Sequence, residues 1–443
     1  MDEPFYPPAP VPPPRPLGPV RAMRAVLRNP IELWHEGMYR SDLTALPLLG
    51  RRFVTVTSPA LAQEVLLDRA GSFRKSPLVQ RMLVPGMGEG LLTAEGADWA
   101  AQRRAAAPLF RPAAVRELGP GLSRIAAQAA EALAAGLPAR GDAAVTVDQA
   151  LQRVTLDIVV ATLFGDETAT GIDRAAVARD VVRYLHTHGN VELADYLSLG
   201  EGWPRRRHLG RGAVRRLRAA AAAVARRGGG GGLIGRLTAT EGLSEAQVVD
   251  NVVTFIGAGH ETTALGVAWA LSILAHRPAL QEALGAEVAA TCPDRPATVD
   301  DTLPLHGRVL DETMRLYPPA PAVGRAPREA LELGGVPLTP DDHVTVSIWV
   351  IGRHHAHWPD PGRFDPDRFR DDAPPRHRFA YMPFGGGPRI CIGAALARGE
   401  MRVLLAEIMR RVRVAPESGH VPRPQLSITL RPKGGLKVRA RRA

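Results

Sequence analysis

The stretch "FGGGPRICIG", Phe384 to Gly393, sets one of the chain's two cysteines behind three glycines, a proline and an arginine. Glycines 385 to 387 and Pro388 define a rigid loop whose backbone can lie close against something flat. Directly after it, "IGAALARGEMRVLLAEIMRRV" has the spacing of a long helix, which places Cys391 at a helix N-terminus. There the macrodipole and unpaired N–H groups favour a thiolate, and such donors also moderate the charge on a sulfur bound to metal. A lone cysteine is more often a small buried hydrophobe, so its meaning depends on the rest of the chain.

With 443 residues and 45% hydrophobic content, the chain can bury a core without staples. Its two cysteines, Cys292 and Cys391, build no disulfide framework, which suits a reducing cytoplasm. The net charge of +11 reads first as an arginine bias, because only Lys75, Lys433 and Lys437 are lysine and the arginines are spread throughout. A basic face for an acidic protein is the second reading, and no basic run is interleaved with aromatic residues as a nucleic-acid site would require. "MDEPFYPPAPVPPPRPLGP" is neither a signal peptide nor a membrane anchor. Residues 1–20 are expected to be a proline-rich disordered tail of extended backbone, and residues 21–443 a single domain.

"RRFVTVTS" alternates like a strand, and "SPALAQEVLLDRA" follows with helical spacing and a Ser-Pro start. Further helices are predicted around 98–116, 118–136, 146–164, 171–187 and 204–227, with strands only at 53–57, 344–350 and the chain end. "RRGGGGGLIGRL", 226–237, lacks the Gly-Lys-Ser/Thr of a phosphate loop and reads as a flexible linker. The longest helical pattern, "LSEAQVVDNVVTFIGAGHETTALGVAWALSILAHRP", starts on a Ser244/Gln247 capping box and closes at Pro278.

Gly257 and Gly259 sit mid-helix, where each costs about 1 kcal/mol against alanine. Something must therefore benefit from a distorted backbone or a close approach. Glu261, Thr262 and Thr263 bring polar groups into the same apolar centre. His260 and Glu261 make no zinc-protease motif, since position 264 is alanine rather than histidine, and His354, His355 and His357 read as surface or packing residues.

Elsewhere, "LDETMRLYPPAP" puts Glu312 and Arg315 on one helix face, and "FDPDRF" offers Arg368 as a second guanidinium to lock them. "GADWAAQRRAAAPLF" puts Trp99 and Arg103 on one face, so an indole N–H and a guanidinium can reach one anionic group.

Together and in this order, these four motifs resemble the cytochrome P450 family over nearly the whole chain. The resemblance implies a mainly α, helix-rich single domain with a small β region, and haem between the long distal helix and the cysteine loop. It implies heme b (iron protoporphyrin IX) as cofactor, with Cys391 as the metal ligand in a loop formed by Phe384, Gly385, Gly387, Arg389, Cys391 and Gly393. Ala258, Gly259, Glu261 and Thr262 match the distal helix motif. Arg103, Arg389 and Arg325 in "AVGRAPRE" are then expected to neutralise the two haem propionates, with the Trp99 indole N–H reaching the same anionic group.

A thiolate on haem iron favours O–O cleavage. Thr262 is expected to hydrogen-bond the Ala258 carbonyl and open a groove, while Glu261 either feeds protons or swings to a surface network. The implied activity is a monooxygenase using O2 as co-substrate on a hydrophobic small molecule, a fatty acid, terpenoid or similar compound. No stretch after the cysteine loop resembles a flavin or iron–sulfur module. Electrons are therefore expected from NAD(P)H through a separate ferredoxin or flavodoxin with its reductase, docked on Arg398, Arg402, Arg103 and Arg104. A haem sensor is the rival reading, and it has no need of the Glu261-Thr262 pair.

Overall fold

The computed structural model describes residues 3–48, 51–164, 176, 179–180, 211–226, 233–239 and 242–443. Its helices in chain order are α1 (Pro19–Arg28), α2 (Pro59–Gln63), α3 (Pro77–Met87), α4 (Gly96–Ala106), α5 (Pro112–Ala135), α6 (Val147–Phe164), α7 (Arg211–Arg226), α8 (Leu233–Thr238), α9 (Glu245–Leu274), α10 (Pro278–Thr291), α11 (Pro304–Leu316), α12 (Ile348–Ile351) and α13 (Ala394–Arg411). Most of the predicted helix at 171–187 lies outside the described residues, as do 204–210 and 227–232.

The axis of the molecule is α9. Its capping box is present, with the Ser244 hydroxyl accepting from the Gln247 N–H at 3.2 Å and the Gln247 side chain accepting from the Ser244 N–H at 3.0 Å. Every residue from Thr263 to Leu271 is buried, because α6, α11 and α13 cover the helix on several sides. Trp269 stacks on Tyr317 at 4.2 Å and donates its indole N–H to the Leu430 carbonyl. Pro278 does not stop α9; the helix ends at Leu274, and Pro278 opens α10 at its first position.

The strands are β1 (Leu43–Leu48), β2 (Arg51–Val56), β3 (Phe73–Lys75), β4 (Ala143–Thr146), β5 (Ala322–Pro327), β6 (Leu331–Leu333), β7 (Val336–Leu338), β8 (His343–Ser347), β9 (Val412–Pro416), β10 (Pro424–Leu426), β11 (Leu430–Pro432) and β12 (Lys437–Arg442). The largest sheet runs β1-β2-β8-β5-β3, with β2 and β8 parallel and the other pairs antiparallel. In its register Lys75 lies opposite Arg325. A second sheet runs β4-β12-β9, and β6-β7 and β10-β11 are hairpins.

Four further expectations are corrected. The predicted strand at 344–350 stops at Ser347, whose hydroxyl caps the Val350 N–H and starts α12; the run is buried on all sides, so its pattern carries no period. The predicted helix at 98–116 breaks at Ala106, and α5 restarts at Pro112, where the fixed φ of proline suits a first turn. The glycine-rich stretch is not all linker, because Leu233–Thr238 forms α8 with Leu233, Ile234 and Leu237 buried. The tail is extended but docked rather than disordered.

Phe5 stacks on His276 at 5.0 Å, and its carbonyl accepts from the Phe364 N–H at 2.9 Å. The Pro8 carbonyl accepts from the Tyr317 hydroxyl, and the Pro13 carbonyl from the Glu36 N–H. Prolines lack an N–H but keep a strong acceptor, which buried donors of the body use here. Among the described residues no helix is long and apolar enough to cross a membrane.

Candidate active site

The cysteine loop folds back on itself through the Cys391 N–H, which donates to the Phe384 carbonyl at 2.9 Å. Glycine is obligatory at 387, where φ is +69° and a Cβ would stand 1.7 Å from the Leu66 carbonyl oxygen. Cys391 is solvent-accessible, yet protein crowds it closely enough that burial pushes its thiol up; the Gly393 N–H and the Arg103 charge oppose that push. A thiol raised in this way ionises more readily when a cation binds the sulfur, as a metal ion would.

Beside the loop lies a cluster of cations that outnumber their anions. Glu95 accepts from the Lys75 backbone N–H at 2.9 Å, from Arg389 at 3.3 Å and from Arg328 at 2.7 Å on the exposed side. Arg389 also donates to the Ala94 carbonyl and covers the Trp99 ring at 4.3 Å. Burial, with repulsion from Arg389, pushes Arg325 down to about 10. Burial, then repulsion from Arg389 and Arg325, pushes Lys75 down to about 7.

Burial also lowers Arg103, and the charge that offsets this is that of Cys391. One carboxylate cannot satisfy this set, so the site calls for further buried anions. A flat macrocycle with two carboxylates, bonded through its metal to the cysteine, fits the donors present.

On α9 the Thr262 hydroxyl donates to the Ala258 carbonyl at 2.8 Å, as expected. Ala258 is exposed and Thr262 half-buried in a helix that is otherwise covered beyond its first turn, so this turn faces an open space. The two glycines answer to close neighbours. A Cβ at 257 would stand 2.8 Å from Met87 Cε, and one at 259 would stand 3.3 Å from Val159 Cγ2. Glu261 points away to β11, where Arg431 grips its buried carboxylate through Nε at 2.5 Å and through a second N–H at 3.0 Å. The Glu261 side chain has thus swung away to a partner, but into a buried ion pair rather than a surface network.

The Glu312–Arg315 pair is fully buried and bidentate at 2.6 Å on both arms. Arg315 also donates to the carbonyls of Gly352, Pro361 and Arg363, while Arg368 lies 3.4 Å from Glu312 and bonds the Asp360 carbonyl. This network ties α11 to the segment that leads into the cysteine loop. Of the four arginines read as a docking face, Arg104 is exposed; Arg398 pairs with Asp311 and covers the Phe384 ring at 5.0 Å, and Arg402 bonds the Val299 carbonyl. His354 donates its Nε2–H to the Ser41 carbonyl, and among the described residues no three His, Cys, Asp or Glu side chains gather to hold a metal.

Lys75 and Arg431 are not among the site residues to which the sequence pointed. The signal for Lys75 was its rarity, being the one lysine before residue 433 in an arginine-rich chain. Arg431 carried no signal in its surroundings.

Solved structures share this architecture. The haem domain of cytochrome P450DA matches with a TM-score of 0.77 at 24% identity over 90% of each chain. The structure of CYP175A1 from Thermus thermophillus matches with 0.71 at 26% identity, over 90% of this chain and 92% of that one. The fold is thus that of cytochrome P450 haem domains.

In sequence, the model of the family described as Cytochrome P450 matches residues 39–198 and 233–438. Cytochrome P450 734A5 of Oryza sativa subsp. japonica is 31% identical over 87% of this chain and 76% of its own length. Cyclooctatin synthase of Streptomyces melanosporofaciens is 30% identical over 91% and 90%. The chain belongs to the cytochrome P450 family of monooxygenase oxidoreductases.

Proposed function

We propose that this monooxygenase inserts one oxygen atom of O2 into a hydrophobic small molecule, a fatty acid, terpenoid or similar compound. The electrons start on NAD(P)H and arrive through a separate ferredoxin or flavodoxin and its reductase. The observation that carries the reading is the 2.8 Å bond from Thr262 to the Ala258 carbonyl, on the one turn of α9 beyond its first where an exposed residue interrupts the cover.

In this reading Cys391 ligates the iron of heme b, which supplies a thiolate-backed metal suited to O–O cleavage. Trp99, Arg103, Arg325 and Arg389 take the propionates, with Lys75 joining them. Phe384, Gly385 and Gly393 would shape the loop that holds the group, and Ala258 would leave room for it on α9, while Gly259 lets that helix approach Val159 of α6. The Thr262 hydroxyl commits its proton to Ala258, so its lone pairs are left to hold a proton-bearing water. Glu261 would relay protons once its carboxylate leaves Arg431 and takes up a proton from solvent.

The substrate class is supported by apolar surroundings. Met87 packs against Gly257, and Phe255 meets Phe110 edge-on at 5.2 Å. Exposed Arg104 and the partly engaged Arg398 and Arg402 favour an acidic electron donor. Both cysteines are free, which suits the cytoplasm.

The test offers haem-loaded protein a panel of lipids and terpenoids while haem absorbance is followed, then supplies labelled O2 and a reducing system to the binders. Label is expected in the product. Label arriving only from water defeats the proposal, and the absence of any spectral response to organic ligands points to the sensor instead.

A further inference from the structure

Three successive carbonyls of α9 each receive a hydroxyl. Thr262 donates to Ala258 at 2.8 Å, Thr263 to Gly259 at 2.9 Å, and the third, His260, is met at 2.8 Å by Thr155 of α6. In an α-helix these are the acceptors of the Thr262, Thr263 and Ala264 N–H groups. The two hydroxyls that bond back within the helix loosen this turn, and the third ties it to a neighbouring helix. Two of the hydroxyls act from within the helix, whereas Thr155 acts from a neighbour 105 residues away in sequence.

The approach of the two helices is built for that bond. Val159 lies one turn beyond Thr155 on α6 and occupies the space that a side chain at Gly259 would need. Thr155 is fully buried, and it also reaches the Leu151 and Gln152 carbonyls of its own helix at 3.0 and 3.3 Å. A hydroxyl has one proton for these three acceptors, and the shortest contact is the one that crosses to α9. The His260 ring does not compete, since its Nδ1 is engaged with the Ile256 carbonyl at 3.0 Å.

We propose that Thr155 is a positioning residue for Thr262: it holds the His260 carbonyl against α6 and so fixes the turn from which the Thr262 hydroxyl projects. Its consequence for turnover rests on the oxygenase reading above, but its structural content does not.

The test uses the haem-loaded full chain without substrate or reductant, comparing Thr155→Val, Thr155→Ala and Thr155→Ser by residue-resolved hydrogen exchange. The valine and alanine variants are expected to exchange the amides of residues 262–264 roughly fivefold faster, and serine to restore them. The alanine variant gives the same comparison if valine is not accommodated. With substrate, the share of reducing equivalents lost as hydrogen peroxide should rise severalfold in the same two variants while substrate affinity holds.

Unchanged exchange at 262–264, a serine variant that behaves like valine, or a change confined to the Thr155 amide overturns the proposal. A chain that oxygenates nothing defeats the oxygenase reading and leaves the exchange result standing.

Discussion

Glu261 and Arg431, 170 residues apart, close an ion pair between the centre of α9 and the hairpin β10-β11. The carboxylate is buried and the guanidinium about three-quarters covered, so removing the cation alone strands a charge. Arg431→Leu is expected to lower stability by about 3 kcal/mol, and Glu261→Leu in the same chain to recover most of it. Urea unfolding of the two single variants and the double decides the matter; additive losses would mean the residues are not coupled.

Lys75 makes stability depend on pH in the alkaline range. Its proton is lost in the folded chain near pH 7 and in the unfolded chain near about 10.4. Between those values the unfolded chain holds the extra proton, so this lysine's contribution rises with pH, from a full penalty below about 7 to none above about 10.4. In haem-free protein, the stability of wild type minus that of Lys75→Met should climb across that window. Haem loading should flatten the climb by placing carboxylates beside the ammonium. A difference curve that stays level without haem excludes the buried, cation-crowded lysine described above.

Gly385 and Gly387 separate two costs of a side chain in the cysteine loop. Both have positive φ, +74° and +69°, but a Cβ at 385 meets nothing within 4 Å while one at 387 collides with the Leu66 backbone. Gly385→Ala is expected to cost about 1–2 kcal/mol, the left-handed penalty alone. Gly387→Ala adds a clash that backbone cannot yield to, and should abolish haem retention. Equal haem content in the two variants would contradict the loop geometry.

Much of the architecture follows from local rules. The capping box at Ser244 and Gln247, the Ser-Pro start at Ser58 and the pairing of Glu312 with Arg315 involve residues within three or four positions of each other. Backbone geometry brings such neighbours together wherever the chain goes. Where two local rules collide, boundaries were misjudged: Pro112 ended one predicted helix by starting another, and the fully apolar Ile348–Ile351 hid a helical turn behind a strand-like run.

The sequence by itself determined the order of the motifs, the cysteine loop with its glycines and the Thr262–Ala258 bond, because each lies within one stretch of chain. Only the tertiary structure decided that Lys75 stands beside Arg325 across a strand pair, that Glu261 turns to Arg431, that Thr155 reaches His260 and that the proline tail is docked. The physical reason is that a hydrogen bond or ion pair depends on where two side chains meet in space. Periodicity says which face of an element is covered, but not which distant donor covers it.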